Sequence, residues 1–314
     1  MTSSLVGSEM CIRDRVVSGI GNVEHNSILV RYSNDFSIWD LESVNHYKDQ
    51  SDIFFTCHEF SYNKIAEAYE PYLGLIRQMF HRYCSGTLEE FMEECDVYKL
   101  QRPVFESYFE NGFCERTEQI LIDEVEYEQE RMRNSIVTML QKLSEIRPVV
   151  IVLNRFQLAS KSTMQLTNRL LQTKNKNIGI VLGVNDVQSI PEFAHEEWDA
   201  ICESMDDRNM VYHIGNAGRN MEPDVMDYYS DYESDDGYRK LNNLVYFLDF
   251  DQADHHLSKI ERRIKFDNFT ISEKKHYQLL LLQIMVSVLQ RDIAKALESC
   301  EDLEKLQDQE KEGA

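Results

Sequence analysis

No run of about eighteen apolar residues occurs anywhere in the chain, so no ordinary membrane-spanning helix is expected. The strongest apolar stretch, Leu279 to Leu289, is too short and lies inside an amphipathic pattern. Positive charge is scarce. There are 33 Lys and Arg against 55 Asp and Glu, a formal net charge of −22, which argues against a nucleic-acid surface or an anionic membrane as partner. None of the seven cysteines (Cys11, Cys57, Cys84, Cys95, Cys114, Cys202, Cys300) belongs to a C-x-x-C pair or a Cys/His cluster of zinc-like spacing. Scattered single thiols point to the reduced state and the cytoplasm. No G-x-S-x-G elbow supports Ser/His/Asp catalysis. The adjacent His255 and His256 point about 100° apart on a helix, so the pair reads as part of a helix surface rather than as a metal site.

The first fifteen residues stand apart. Residues 5–14, LVGSEMCIRD, resemble one reading frame of a transposon-end adapter used in sequencing libraries, and they lack the apolar core of a secretory signal. Residues 1–15 are therefore set aside as non-native. The expected native sequence starts near Val16, with whatever preceded it missing.

The rest of the chain is patterned. Val16-Val17 reads as a strand end, Ile28 to Val30 as an apolar patch and Asp52 to Cys57 as a short buried strand. From Asn63 to Tyr83, apolar residues recur at steps of three and four, which predicts a helix that Pro71 and Gly74 kink. Thr87 with Glu90 is a capping-box pattern opening a helix toward Tyr98. Residues 115–146 read as a long helix. Arg147-Pro148 ends it, and Val149 to Leu153 is a β-branched and leucine run of the kind that fills the centre of a parallel sheet. A helix from Ser162 to Gln172 and a second apolar strand, Ile178 to Leu182, complete a strand–helix–strand crossover. Met210 to Ile214 is a third strand. Residues 222–237 carry seven acidic side chains and no basic one, the composition of a solvated linker. From Tyr238 to Gln309 the pattern is helical throughout.

On these residues the central stretch resembles a known family. Residues 147–171, RPVVIVLNRFQLASKSTMQLTNRLL, look like the Walker B strand, loop and leucine-rich helix of AAA-type and Orc-like signal-transduction ATPases. Residues 68–77 resemble the helix after that family's second strand. Residues 180–185 resemble its fourth strand, with Asn185 at the sensor position. The resemblance covers roughly residues 16–215. It implies an α/β fold, a P-loop NTPase-like parallel sheet with helices that is incomplete at its N-terminus, over 16–221. It also places the phosphate loop in residues 17–27. There Gly19, followed by Gly21, aligns with the first glycine of G-x-x-x-x-G-K-[ST]. Glu24 stands for the second glycine, His25 for the lysine and Asn26 for the hydroxyl, with Ser27 one place late. The motif needs glycine so that backbone N–H groups can cradle phosphates, and lysine to neutralise them. No lysine lies between residues 16 and 47. At the Walker B position Asn154 and Arg155 replace the two acidic residues that hold magnesium and polarise the attacking water.

Hydrolysis is therefore not expected, no metal site is expected, and no cofactor is implied. Metal-free binding of ATP, with Arg155 or His25 supplying charge, is the alternative. So is a displaced phosphate loop. Within 238–314, Phe250, Ala253, Leu257 and Ile260 recur 43 residues later as Ile293, Ala296, Cys300 and Leu303. The steps resemble the second helix of tetratricopeptide repeats, whose usual period is roughly 34 residues. The reading is an all-α helical-repeat segment that binds a protein partner, attached to a degenerate ATPase-like domain that switches or scaffolds. The resemblance implies a bacterial signal-transduction protein of which this is a fragment. A pure interaction protein with no nucleotide history is the other reading.

Overall fold

The computed structural model describes residues 27–32, 52–61, 64–114, 125–173, 175–185, 190, 192–207, 210–214, 234–266 and 270–313. Its strands are β1 (Ser27–Tyr32), β2 (Phe54–Glu59), β3 (Val149–Asn154), β4 (Ile178–Asn185) and β5 (Val211–Ile214). Its helices are α1 (Tyr72–Tyr83), α2 (Leu88–Glu94), α3 (Arg102–Asn111), α4 (Val125–Ile146) and α5 (Lys161–Gln172). They continue as α6 (His195–Asp207), α7 (Asp235–Tyr246), α8 (Phe250–Phe266), α9 (Glu273–Leu289) and α10 (Ile293–Gly313). None of the described helices is long and apolar enough to cross a membrane.

The described residues divide into two compact units. One is drawn from Met1–Ser61, Tyr69–Val97 and Arg133–Val225, the other from Tyr62–Ala68, Tyr98–Met132 and Met226–Ala314. The sequence reads 16–221 as one continuous domain, whereas residues 98–132 group with the C-terminal helices. Periodicity marks where helices are but not which neighbours bury them, so this interleaving leaves no local trace.

In the first unit the strands form a five-stranded sheet in the order β2-β3-β4-β1-β5, and each neighbouring pair is parallel. Composition explains the order. The inner strands β1, β3 and β4 have apolar centres and are almost entirely buried, as a sheet covered on both faces requires. Edge strand β2 is only half-buried at each of its six positions. The Ile28–Val30 patch is the centre of β1 and lies beside β4 in the middle of the sheet. The helix expected from Asn63 begins only at Tyr72, directly after Pro71, whose ring cannot continue a helix from its amino side. Ile65, Ala68 and Tyr69 are still buried, without being helical.

The crossover helix α5 starts where Ser160 accepts a hydrogen bond from the Thr163 amide at 3.3 Å. Its buried face carries Met164, Leu166, Leu170 and Leu171. Each such burial is worth about 1.5–3 kcal/mol relative to exposure. Buried hydroxyls fix the register of α1 on this helix: Tyr72 and Thr167 are 2.7 Å apart, and the Tyr69 amide donates to Ser162 Oγ at 3.2 Å. At α2 the expected capping box is present, with Thr87 and Glu90 each accepting the other's amide.

In the second unit the last four residues of the acidic block open a helix. Ser234 caps α7, and Asp235 to Gly237 are its first turn, where carboxylates suit the positive helix end. The turns α7–α8 and α9–α10 repeat each other atom for atom in hydrogen bonding. Leu248 (φ 65°) and Arg291 (φ 63°) are both left-handed. The next amides, of Asp249 and Asp292, reach back to Leu244 and Ser287 carbonyls at 2.8 Å each. The carboxylates of Asp249 and Asp292 then cap Gln252 and Lys295. All these pairs are 43 residues apart, the same offset as the sequence echo.

Candidate functional site

An open parallel sheet binds ligands outside the carboxyl ends of its strands, where neighbouring strands send their connections in opposite directions. Here β1 and β4 are neighbours. The chain continues from β1 to β2 at one edge of the sheet, and from β4 to β5 at the other. The carboxyl ends meeting there pair Tyr32 with Asn185 and Glu59 with Asn154.

Asn154 is the last residue of β3 and is fully buried. Tyr32 ends β1, is 1% exposed, and donates its hydroxyl to Asn154 Oδ1 at 2.8 Å. Asn154 Nδ2 has no protein partner, so whichever way the amide faces, one of its polar atoms stays unpaired in a buried site. Burial pushes the Tyr32 phenol well above its ordinary range, against the smaller pull of a hydrogen bond from the Arg155 backbone. Tyr32 is thus a neutral donor at any physiological pH.

Arg155 follows in the left-handed region (φ 53°, ψ 42°), a conformation that crowds any side chain with a Cβ. It leads into a short turn, Phe156–Leu158, and puts the guanidinium Nε 3.3 Å from Glu59 Oε1. The turn is held from below. Phe156 is fully buried, edge-on to Phe60 at 6.1 Å and 6.3 Å from Trp198. Gln157, also fully buried, accepts the Asn185 amide through Oε1 at 3.3 Å. Asn154, Arg155 and Asn185 therefore do converge on one edge.

Ser27, of the other expected site residues, does not join them. Gly19, Gly21, His25 and Asn26 lie outside the described residues. Ser27, read as part of the phosphate loop, is instead the first residue of β1, paired with Ile180 at the amino end of the strand. It is five residues along the strand from Tyr32, at the opposite end of the strands. A loop following β1 would begin after Tyr32. The apolar patch at Ile28–Val30 marked this strand, while Val16-Val17, read as the strand end before the G-x-G, lies outside the described residues. Tyr32 and Glu59 were not legible as site residues, because only the pairing of β1 with β4 and of β2 with β3 brings them to this edge, and Gln157 reaches it through the turn after β3.

Does this edge suit a magnesium nucleotide? Mg²⁺ takes hard anionic oxygens in octahedral geometry. The strand-end residue here is an amide whose oxygen is already engaged by Tyr32. The carboxylate across from it, Glu59, is paired with Arg155. The residues present do not fit the ion.

Elsewhere, Glu261, Glu298 and Asp302 bring carboxylate oxygens within 4.8 Å of one another. Lys265 Nζ lies among them at 2.8, 3.3 and 3.0 Å, so the cluster is an ion-pair network with its own cation. The histidine pair is not the surface feature its sequence suggests. His256 is 4% exposed and bonds Gln252 at 2.9 Å, and burial lowers His255 to about 4 and His256 to about 3. Tertiary packing, not local pattern, buries this face. The described cysteines are free thiols. Burial pushes Cys95 up to about 12 and Cys114 higher, so neither is an activated nucleophile. No protein-family model matches the chain, and no curated protein is significantly similar to it.

Proposed function

We propose that the protein is a regulatory module in which an ATPase-like α/β unit acts as a switch or scaffold without hydrolysing nucleotide, and a helical unit binds a protein partner. The observation that carries this reading is the Tyr32–Asn154 hydrogen bond. It ties the strand-end residue where phosphoryl transfer needs a metal-holding carboxylate to β1, across the end of β4, and the next residue is a cation. The five parallel strands, with Asn154, Arg155 and Asn185 on one edge, support an NTPase-like ancestry. The acidic charge and the repeated helix–turn–helix geometry favour protein over nucleic acid or membrane as the partner.

The test is a titration of the full chain with a fluorescent ATP analogue, with and without Mg²⁺, beside an assay of phosphate release. Neither magnesium-dependent binding nor release above the blank is expected. Magnesium-dependent release that disappears in Arg155→Ala would overturn the proposal and make the protein an ATPase with a displaced loop.

A further inference from the structure

At the amino ends of the strands, opposite the end that carries Asn154, two arginines share one tyrosine ring. Tyr83 closes α1 and meets Phe54, the first residue of β2, edge-on at 6.1 Å. Arg82 is exposed and sets its guanidinium carbon 5.4 Å from the centre of the Tyr83 ring. Arg147 reaches the same ring, at 5.3 Å, from the link between α4 and β3. Its amide donates to the Leu143 carbonyl at 3.0 Å, so it continues the last turn of α4. Residues of the first unit alone therefore bring two fixed positive charges to one ring.

Neither charge is answered within the protein. Among the described residues no carboxylate pairs with Arg82 or Arg147, although the net charge of the chain is −22. A carboxylate is close by. Burial raises the Cys84 thiol, next to Tyr83, and Glu94 raises it further, yet Glu94 pairs with Lys142 at 3.2 Å. Arg147 Nε is enclosed and has no acceptor. The face of a tyrosine ring attracts a guanidinium but offers that N–H no oxygen. A guanidinium held partly out of water gains more from a counter-ion than a solvated one does. Both arginines close helices, where a cation suits the negative end. Such an end carries only about half a charge, so each guanidinium keeps an excess.

That excess is matched by an anion from outside, and geometry selects its kind. A guanidinium is a planar fork that takes two oxygens side by side. A carboxylate, with two oxygens, satisfies one fork. A phosphate group has oxygens enough for two. The geometry points to a phosphate-binding site at the amino end of the sheet, where Arg82 and Arg147 hold one phosphate group beside Tyr83. The site uses none of the residues at the carboxyl ends of the strands. Its failure would leave the switch reading untouched, and the failure of that reading would leave this site untouched.

The probes are inorganic phosphate and phenyl phosphate, titrated with the full chain at constant ionic strength and followed by the width and shift of their phosphorus NMR signals. Saturable binding is expected, with a Kd on the order of 1 mM. Arg82→Gln and Arg147→Gln should each weaken it at least roughly tenfold, as for the loss of one charge-assisted fork. Arg147 is half-buried, so Arg147→Lys is the second variant at that position. It keeps the charge and the packing of the stem but not the fork, and it should also bind more weakly. Circular dichroism checks that each variant is folded. Arg262→Gln, at an exposed arginine of the helical unit, should bind as the parent does. Tighter binding of phenyl phosphate would support the site with an ester as its ligand, and equal binding would support it with free phosphate. Absence of saturable binding by both probes overturns the proposal, as does binding that Arg82→Gln and Arg147→Gln leave unchanged. Acetate binding as tightly as phosphate would overturn it too, because one carboxylate does not serve two forks.

Discussion

The phenol of Tyr32 and the amide of Asn154 join the carboxyl ends of β1 and β3 at 2.8 Å, across a distance of 122 residues in sequence. Between the two strands lies β4. The bond therefore closes over the end of the central strand, at the place where a parallel sheet of this order presents its ligand edge. Because both side chains are buried, this contact is structural as well as diagnostic.

Removing the donor should be costly for that reason. Tyr32→Phe leaves Asn154 buried with neither polar atom paired, and a loss of about 1–3 kcal/mol of stability is expected. Asn154→Asp keeps the shape and still accepts from Tyr32, but buries a charge with no cation bonded to it. It should destabilise at pH 7 and recover as the pH falls and the carboxyl protonates. Urea denaturation of both variants at two pH values checks the pair. If Asn154→Asp instead gained stability on addition of Mg²⁺, the edge would be a metal site after all.

Arg155 is held in a conformation that costs roughly 1–2 kcal/mol for a residue with a Cβ. Its ion pair with Glu59 joins side chains 36% and 32% exposed, so solvent screening leaves it worth well under that. Arg155→Gly should therefore be neutral or slightly stabilising, the relief of strain exceeding the lost pair and the added freedom of the unfolded chain. Arg155→Ala, which loses the pair and keeps the strain, should lower the melting temperature. A melting temperature for Arg155→Gly well below that of Arg155→Ala would mean that the guanidinium, not the backbone, is the reason for this residue.

How much of this was readable beforehand follows from the range of each interaction. The strand Val149–Leu153, the crossover helix and the Thr87 capping box depend on residues within a few positions of one another, and the pattern displayed them. Asn154, Arg155 and Asn185 were legible because each follows directly from a recognisable apolar strand. The position of β1 was not. Ile28–Val30 read only as an apolar patch, and it is the pairing with β4 and β5 that makes it a strand. The burial of His256 and the grouping of residues 98–132 with the C-terminal helices are decided by neighbours more than a hundred residues apart or by helix faces whose partners periodicity does not name. The repeat in the last helices fell between these cases. The 43-residue echo was visible in side-chain spacing, while the left-handed Leu248 and Arg291 that make it a structural repeat are unusual residues for that conformation and carry no glycine signal.

The buried histidines give the helical unit an acid limit. His256 is surrounded on its own helix by Gln252, His255 and Lys259, and both lysine and the neighbouring histidine disfavour a second positive charge. Desolvation is the larger cause, and it also dominates for His255, where Asp254 offers a partial offset. The sign follows from linkage. With folded values of about 4 and about 3 against an ordinary 6.5, the unfolded chain binds protons that the folded chain refuses. Stability is then fully present above about pH 6.5 and is lost as the pH falls from there toward 4, by about 1 kcal/mol per pH unit for each histidine. Thermal melts between pH 7.5 and pH 4.5 should show the decline, and His256→Gln, which cannot take up the proton, should flatten it. Carboxylates paired in the folded state, such as Asp302 held low by Lys305 and Lys265, contribute an acid loss of their own only at lower pH. A slope that begins near pH 6.5 and is halved in His256→Gln therefore belongs to the histidines. One that begins only below pH 4.5 and ignores the substitution would place the acid limit in the ion pairs instead.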